Sequence, residues 1–254
     1  MKDTLAKIEY VDQLNPVHFK LGLKVDWEKF TSGQFVMLHP PKQATFLSRP
    51  FGIVNLENGV LELCIKIIGS GTQALAQAQV GESLKVIGPL GNGFDIPSNI
   101  KQAVLVAGGY GIAPLLPLAK AIKNQGKKVS FYYGAKTVDD LLYTESLADL
   151  DLNLNYTTED GSKGKKGLIL DILKPDLKNM GQATIFASGP SGLLQALSKL
   201  ALDNKIPAQI SLDSYMACGI GVCLGCMVKM KDGSLKRACR EGPVFNASEL
   251  CNQI

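Results

Sequence analysis

The sequence predicts a multi-domain β and α/β protein, in which an antiparallel β-barrel is followed by a parallel-sheet α/β domain and a small C-terminal unit organised by a metal. Three observations predict this fold. Short strand-like runs fill the first part of the chain, strands then alternate with helices, and both patterns fade into a cysteine- and glycine-rich stretch. With 254 residues, 46% of them apolar, the chain can bury ordinary cores. We expect three domains, covering residues 1–98, 99–210 and 211–254.

The first domain consists of short segments rich in strand-forming residues. Glycines and the Pro40–Pro41 pair separate these segments, as turns do between antiparallel strands. Strands at this spacing predict an antiparallel barrel. The clearest candidates are Phe19–Val25, Gln34–Leu38, Ile53–Asn55 and Val60–Ile67.

The second domain begins with the unbroken apolar run Ala103–Ala107, which leads through a glycine turn into the helix-like segment Leu115–Lys123. This order of strand, turn and helix recurs, and such alternation predicts a mainly parallel sheet. The further strands are Val129–Gly134, Leu152–Thr158 and Thr184–Ser188, and the further helices are Asp139–Ala148, Leu168–Leu173 and Ser191–Asp203.

Composition excludes several classes of protein. The net charge of +4 comes from scattered lysines rather than a basic run, so nucleic-acid binding is not expected. No apolar run is long enough to span a membrane, and Met1–Tyr10 suits an amphipathic strand rather than a signal peptide. Four of the six cysteines lie between Cys218 and Cys239, which favours metal ligation over disulfides. A reducing compartment, the cytoplasm, is expected.

The cysteines Cys218, Cys223 and Cys226 have the C-x4-C-x2-C spacing of plant-type [2Fe–2S] proteins, and Cys239 supplies a fourth thiolate. Structural zinc, which also takes four cysteines, remains an alternative, although zinc sites favour two separated C-x2-C pairs. The intervening glycines permit the positive-φ turns that aim backbone N–H groups at sulfur; they are Gly219, Gly221 and Gly225. The two remaining cysteines, Cys64 and Cys251, are interpreted as ordinary thiols.

Two motifs in the first domain suggest a phosphate-containing ligand. In Ser48–Ile53, Arg49 offers a rigid donor fork for a pyrophosphate. About twenty residues later, the turn Gly69–Thr72 opens a short helix whose N–H groups can receive a phosphate. A solvated arginine and an ordinary turn explain the same residues, so both interpretations stay open here.

Two glycine loops in the second domain follow strands of the predicted parallel sheet. One is Gly108–Gly111, and the other begins at Gly189–Pro190. Because parallel strands share a carboxyl edge, both loops are expected at one cleft, where α/β sheets bind dinucleotides. The first loop lacks the full G-x-G-x-x-G spacing, and tight turns alone remain the alternative.

Taken in order, these motifs resemble the ferredoxin–NADP reductase superfamily and, more narrowly, the iron–sulfur electron-transfer subunits of class 1B dihydroorotate dehydrogenase. The resemblance spans nearly the whole chain. It is sharpest at the cysteine loop, at Glu241–Phe245 and at Thr157–Gly161.

The resemblance implies an FAD on the barrel, NAD at the glycine loops and a [2Fe–2S] cluster on the four cysteines. It assigns Arg49 to the FAD pyrophosphate and Pro50, Phe51 and Gly52 to the flavin. The segment Cys64, Ile65 and Lys66 would border the FAD, and Gly71 and Thr72 would bind its phosphates. The nicotinamide cleft would be shaped by Gly108, Gly109, Gly111, Ile112, Gly189 and Pro190.

Two positions depart from the family pattern. Members usually carry serine where this chain has Gly52, so a hydroxyl near the flavin is missing. Cysteine is common before the last Gly-Pro, where this chain has Ser188.

The implied function is electron transfer in pyrimidine biosynthesis. Electrons from the FMN of a partner dihydroorotate dehydrogenase would pass through [2Fe–2S] and FAD to NAD⁺, in a heterotetramer with two copies of each subunit. No acid, base or nucleophile is then required from this chain, so His18 and His39 are given no catalytic role. Two alternatives stay open: a diaphorase-like subunit serving a hydrogenase or a ferredoxin–NADP transhydrogenase, and a non-catalytic module stabilised by zinc.

Overall fold

The structure, a computed structural model, describes residues 1–41, 46–178 and 180–251. Within these ranges, none of the helices combines the length and the apolar composition needed to cross a membrane. The chain divides into two compact units. The first consists of Met1–Gly93, Ser214–Met227 and Arg237–Pro243, and the second of Phe94–Asp213, Val228–Lys236 and Val244–Ile254.

The first unit contains a closed six-stranded barrel with the strand order β1-β2-β5-β4-β3-β6. Every neighbouring pair is antiparallel, as the sequence predicts. A short helix, α1 (Ser70–Ala76), follows β5. The strands are β1 (Lys2–Asn15), β2 (His18–Lys24), β3 (Phe35–Leu38), β4 (Arg49–Glu57), β5 (Val60–Lys66) and β6 (Ser83–Leu90).

The barrel core follows from the two-residue period of its strands. In β5, Leu61, Leu63 and Ile65 are fully buried, while the residues between them face outward. Burial of each such side chain stabilises the fold by roughly 1.5–3 kcal/mol. Strand β4 is longer than the predicted Ile53–Asn55, because its first residues also pair with β3, beginning with Arg49 opposite Leu38.

The second unit is a seven-stranded sheet with helices, in the order β10-β9-β8-β7-β11-β12-β15. Its strands are parallel except for β15, which pairs antiparallel with β12 at one edge. The elements in chain order are β7 (Gln102–Gly108), α2 (Ile112–Asn124), β8 (Lys128–Ala135), α3 (Thr144–Ala148), β9 (Asn153–Thr158), β10 (Lys165–Lys166), α4 (Ile169–Leu177), β11 (Ala183–Ser188), α5 (Ser191–Asp203), β12 (Ala208–Ser211) and β15 (Val244–Asn246). Two further strands, β13 (Met227–Lys229) and β14 (Leu235–Arg237), form a two-stranded ribbon.

One predicted helix is wrong. The segment Asp139–Ala148 is not continuous, because a 3-10 turn at its start is separated from α3 by buried, non-helical residues. Among them, Leu142 donates its backbone N–H to the hydroxyl of Tyr133 at 2.9 Å, and Tyr143 adopts a left-handed φ of 56°. A tertiary hydrogen bond thus overrides the local helical pattern.

The observed units differ from the predicted boundaries at residues 98 and 210. Phe94 packs edge-to-face on Phe186, with ring centroids 5.8 Å apart, and the backbone N–H of Asp95 bonds to the Gln209 side chain at 2.9 Å. Both contacts place the start of the second unit before residue 98. The predicted C-terminal segment 211–254 is shared between the two units, because β15 completes the sheet at Ile210↔Phe245 while the cysteine loop belongs to the first unit.

Candidate functional site

The first unit carries the four cysteines of the C-x4-C-x2-C loop and its downstream partner. Their side chains meet in two pairs, Cys218 with Cys223 and Cys226 with Cys239. Among the described residues, no group of three or more His, Cys, Asp or Glu side chains is arranged around a single ion position. The two pairs fit a two-iron cluster, since each iron takes two protein sulfurs.

Backbone N–H groups of the loop point at the sulfur of Cys218. Burial raises the pKa of this thiol, but hydrogen bonds from the backbone N–H groups of Cys223, Ile220 and Val222, together with the Cys223 thiol, outweigh it and lower the pKa to about 6. Such a cradle stabilises a thiolate, which is the form that binds iron.

The second pair is more deeply buried. Burial, the neighbouring Cys226 thiol and the charge of Cys218 raise the pKa of Cys239 to about 12. The backbone N–H of Gly221 donates to the Cys239 sulfur and opposes that rise. A bound cation is the ordinary means of holding several buried thiolates together, so this donor set fits a metal centre.

Two of the loop glycines are required by their surroundings. Gly219 has a φ of 69°, and a Cβ at this position would stand 2.7 Å from the Met37 sulfur of β3. Gly221 has a φ of 86°. Gly225, predicted to permit a similar turn, has no such conformation; the third left-handed residue of the loop is instead Leu224, with a φ of 56°.

The cluster loop, residues 215–226, presents apolar side chains to solvent. Tyr215 is 97% exposed, Val222 72% and Leu224 58%. Beside the loop lies a cavity of about 320 Å³, whose lining includes Ile220 and Cys239. This part of the chain therefore combines exposed apolar side chains with a cavity beside the cysteines.

The flavin assignments fall on β4 and on the outer face of the barrel. Pro50, Phe51 and Gly52 are partly buried on β4 and pair with β3. The Arg49 guanidinium curls back on its own chain, since Nη1 donates to the carbonyl of Leu47 at 2.8 Å. Its remaining N–H groups give the arginine further capacity to bind a pyrophosphate.

On β5 the strand period separates the three predicted neighbours of FAD. Cys64 and Lys66 lie on the outer face, whereas Ile65 is fully buried in the barrel core. If this segment borders an FAD, as the resemblance implies, Cys64 and Lys66 would offer their side chains and Ile65 its backbone, because alternate residues of a strand face opposite sides. The backbone of Ile65 lies between those of Cys64 and Lys66 on β5.

Thr72, in the first turn of α1, forms hydrogen bonds within its own turn. The Thr72 hydroxyl accepts the backbone N–H of Ile68 at 2.9 Å and donates to the Gly69 carbonyl at 3.0 Å, and Thr72 is only 6% exposed. Gly71 is also buried. The hydroxyl thus shapes the turn, and a phosphate bound here would meet backbone groups instead. Sequence reasoning missed Ile68, whose 81% exposure leaves an apolar surface beside this turn.

In the second unit, the two glycine loops lie against each other at the carboxyl ends of β7 and β11. A Cβ on Gly108 would stand 2.7 Å from Pro190 Cδ, and one on Gly111 would collide with the Ser188 carbonyl. A Cβ on Gly189 would be 2.9 Å from the Gly108 nitrogen. Close packing of the loops therefore explains these three glycines.

Gly109 differs, because a Cβ there would meet open space, although its φ of 52° is left-handed. Ile112 begins α2 and is fully buried, so its side chain supports the loop from within. No sequence pattern indicates a role for Tyr133, whose buried hydroxyl donates to the Gly109 carbonyl at 3.0 Å. This bond fixes the open glycine at the sheet edge.

A third loop reaches the same edge after β9. The Thr158 hydroxyl, fully buried, accepts the N–H of Lys163 at 3.0 Å, and the Ser162 hydroxyl accepts the N–H of Val138 at 2.8 Å. The side-chain and backbone hydrogen bonds of Ser162 lower the pKa of Asp160. The Thr157–Gly161 motif therefore builds an ordered loop that is tied to the one following β8.

Three family models match the chain. The oxidoreductase FAD-binding domain matches residues 6–94, and the oxidoreductase NAD-binding domain matches residues 105–199. The iron-sulfur cluster binding domain of dihydroorotate dehydrogenase B matches residues 213–251.

Curated relatives match most of the chain. The dihydroorotate dehydrogenase B (NAD(+)) electron transfer subunit of Clostridium acetobutylicum is 37% identical over 249 residues, covering 98% of this chain and 97% of the relative. That of Caldanaerobacter subterraneus subsp. tengcongensis is 38% identical over 222 residues, 86% of each chain.

Solved structures share the fold. The NADH-dependent reduced ferredoxin-NADP oxidoreductase superimposes with a TM-score of 0.86 at 28% identity, over 98% of this chain and 90% of that one. A ferredoxin NADP+ reductase from Neisseria gonorrhoeae gives 0.69 at 21% identity, over 80% and 92%.

Proposed function

The chain belongs to the electron transfer subunits of dihydroorotate dehydrogenase B, and we propose that it passes electrons from a partner dihydroorotate dehydrogenase to NAD⁺. It is a flavin and iron–sulfur oxidoreductase subunit, with FAD-, NAD- and cluster-binding domains. When bound, FAD exchanges a hydride with NAD and single electrons with the [2Fe–2S] cluster.

One observation carries the proposal: the three thiols of the C-x4-C-x2-C loop and that of Cys239 lie in two pairs, within a chain that also has FAD- and NAD-binding domains. A one-electron centre beside two dinucleotide sites is the arrangement an electron relay requires. The backbone N–H groups directed at the sulfurs of Cys218 and Cys239 support these cysteines as ligands.

Particular residues are proposed for each cofactor. The ligands of the cluster are Cys218, Cys223, Cys226 and Cys239. FAD contacts Arg49, Pro50, Phe51, Gly52, Cys64 and Lys66, together with the backbone at Ile65, Gly71 and Thr72. Gly109 presents its open face to NAD, held in place by Gly108, Gly111, Ile112, Gly189 and Pro190. The proposed binding segments for FAD, NAD and the cluster are three, although contacts within the chain divide it into two compact units.

The partner is proposed to be an FMN-containing catalytic subunit, with two copies of each chain in the complex. The exposed apolar residues of the cluster loop, led by Tyr215 at 97% exposure, support docking there. Single-electron transfer needs short distances, so the partner must cover this loop. Cysteines that ligate a metal are typical of a reducing compartment, so we propose the cytoplasm as the place of work.

The test measures the flavin, iron and sulfide content of the purified protein and its activity with the catalytic subunit. We expect flavin absorption bands, two iron and two inorganic sulfide per chain, and dihydroorotate-dependent NAD reduction when the catalytic subunit is added. Cys218→Ser should abolish the last activity and the cluster signal. Zinc in place of iron, without flavin bands, would contradict the proposal and favour the zinc-stabilised module.

A second candidate is a diaphorase-like subunit of a transhydrogenase, favoured by the TM-score of 0.86 with the NADH-dependent ferredoxin-NADP oxidoreductase. Reduced ferredoxin and dihydroorotate, supplied separately as electron donors to the complex isolated with its native partner, distinguish the two. Electron transfer from dihydroorotate alone supports the first proposal.

A further inference from the structure

Arg237 lies at the end of β14, two residues before Cys239, and it reaches across to the cluster loop. Its Nη1 donates to the carbonyl oxygen of Gly221 at 2.9 Å. The backbone N–H of the same Gly221 donates to the Cys239 sulfur. Gly221 is thus held from both sides, by the guanidinium on its carbonyl and by a thiol on its N–H.

Glu241 fixes the guanidinium in this position. Arg237 Nε donates to Glu241 Oε2 at 3.0 Å, Nη2 pairs with Oε1, and the backbone N–H of Arg237 also donates to Oε2 at 2.7 Å. Both carboxylate oxygens of Glu241 are therefore engaged by Arg237. A bidentate pair of this kind fixes orientation as well as charge.

The charge of Arg237 also reaches the sulfur ligands. The guanidinium bonds to the carbonyl of Gly221, whose N–H donates to Cys239, so the positive charge lies close to this sulfur ligand. Reduction of a [2Fe–2S] cluster adds one negative charge, and a nearby positive charge stabilises the reduced form. Since the side chains of Arg237 and Glu241 are each 35% exposed, solvent screens only part of this effect.

We propose that Arg237 is a positioning residue for the cluster: it holds Gly221 so that the Gly221 N–H faces Cys239, and its charge raises the reduction potential. Glu241 holds Arg237 in place and partly offsets its charge. This inference rests on the proposed function, because it requires a [2Fe–2S] cluster on the four cysteines. Neither Arg237 nor Glu241 is one of the four proposed cluster ligands. Both therefore act through the loop and through charge.

The test is a reductive titration of the purified holoprotein, followed by electron paramagnetic resonance of the reduced cluster. Arg237→Gln should lower the equilibrium constant for reduction about tenfold, which is about 59 mV for one electron. Glu241→Gln should raise it at least threefold. Arg240→Gln is the matched control, because Arg240 is an exposed arginine next to Cys239; its effect should stay below threefold.

Shifts of the reduction potential in opposite directions for the Arg237 and Glu241 variants support the proposal. Loosening of the loop alone would shift both potentials in one direction. Shifts of the same sign, or no shift, overturn it. If Arg237→Gln assembles no cluster, Arg237→Lys, which keeps the charge but not the guanidinium fork, is titrated instead. A resonance spectrum equal to that of the wild type then overturns the positioning role. A wild-type protein without the cluster signal refutes the proposed function itself.

Discussion

The hydroxyl of Tyr133 donates a hydrogen bond to the carbonyl oxygen of Gly109 at 3.0 Å and accepts one from the backbone N–H of Leu142 at 2.9 Å. One buried side chain on β8 therefore fixes the open glycine of the first loop and the extended segment before α3. Because the two contacts come from distant parts of the second unit, their loss should affect both stability and nucleotide binding.

Tyr133→Phe is expected to raise the KM for NADH about three- to tenfold with little change in kcat, because Gly109 loses its anchor. The free energy of unfolding should fall by roughly 1–3 kcal/mol, since the Leu142 N–H is left unpaired inside the protein. NADH-dependent dye reduction and urea unfolding measure the two effects. Tyr132→Phe is the control: it breaks a bond of 2.7 Å to Asp176 and should lower stability without changing KM.

Tyr132 also gives the protein a specific sensitivity to alkali. Burial, followed by the hydrogen bond to Asp176 and its charge, raises the pKa of Tyr132 above its ordinary value. A raised pKa in the folded state means that the stabilisation is complete below the unfolded value of about 10 and is lost as the pH rises toward the folded value. The Tyr132→Phe variant lacks this dependence on pH. Its free energy of unfolding should be lower than that of the wild type at pH 8, and the difference should shrink by pH 10.5.

Urea unfolding at the two pH values measures that change. Tyr215→Phe provides the comparison, because its ring is 97% exposed and its hydroxyl faces solvent in the folded and unfolded states alike. It should follow the wild-type curve at both pH values. A deficit for Tyr132→Phe that stays constant with pH would contradict the assignment.

Gly111→Ala should destabilise the second unit. Its Cβ would collide with the Ser188 carbonyl and stand 2.7 Å from the Gly189 nitrogen, so the two glycine loops must move apart. Overpacking of this kind costs about 1–3 kcal/mol. In Gly192→Ala, the matched change in α5, the new methyl meets nothing within 4 Å and should be neutral or stabilising by up to about 1 kcal/mol. Thermal unfolding of both variants decides whether loop packing requires Gly111.

Gly219→Ala should reduce the iron content of the purified protein and its Tm. The residue combines a φ of 69° with close contact to Met37, so left-handed strain of about 1–2 kcal/mol adds to overpacking. Gly233→Ala has the same kind of strain, with a φ of 85°, but meets nothing within 4 Å. Equal losses of iron in the two variants would show that contact with the barrel does not seat the loop.

Tyr215→Asp should weaken binding of the catalytic subunit at least tenfold while NADH-dependent dye reduction continues, because the buried face would then contain a charge. Val80→Asp, at another exposed apolar position with 67% exposure, is the control and should bind normally. Titration calorimetry with the partner measures both. Wild-type affinity for Tyr215→Asp would place the docking surface elsewhere.

The local patterns predicted much of this protein. The β-barrel, the parallel sheet and helix α5, whose bounds Ser191–Asp203 match the prediction, follow from periodicities of two and 3.6 residues. The spacing of Cys218, Cys223 and Cys226 indicated a two-iron cluster before any fold was known. Each of these signals lies within a few neighbouring residues, so the sequence alone contains it.

Tertiary structure decided what depends on partners far apart in the chain. Ile65 and Ile112 lie in motifs but face the core, and the Thr72 hydroxyl is occupied by its own turn. Tyr133 acts on Gly109, 24 residues away, and Arg237 on Gly221, 16 residues away. Such contacts exist only after strand pairing brings distant backbone together, and no local pattern encodes which donor meets which acceptor. The cysteine spacing thus predicted the cluster, but only the fold showed which arginine supports its loop.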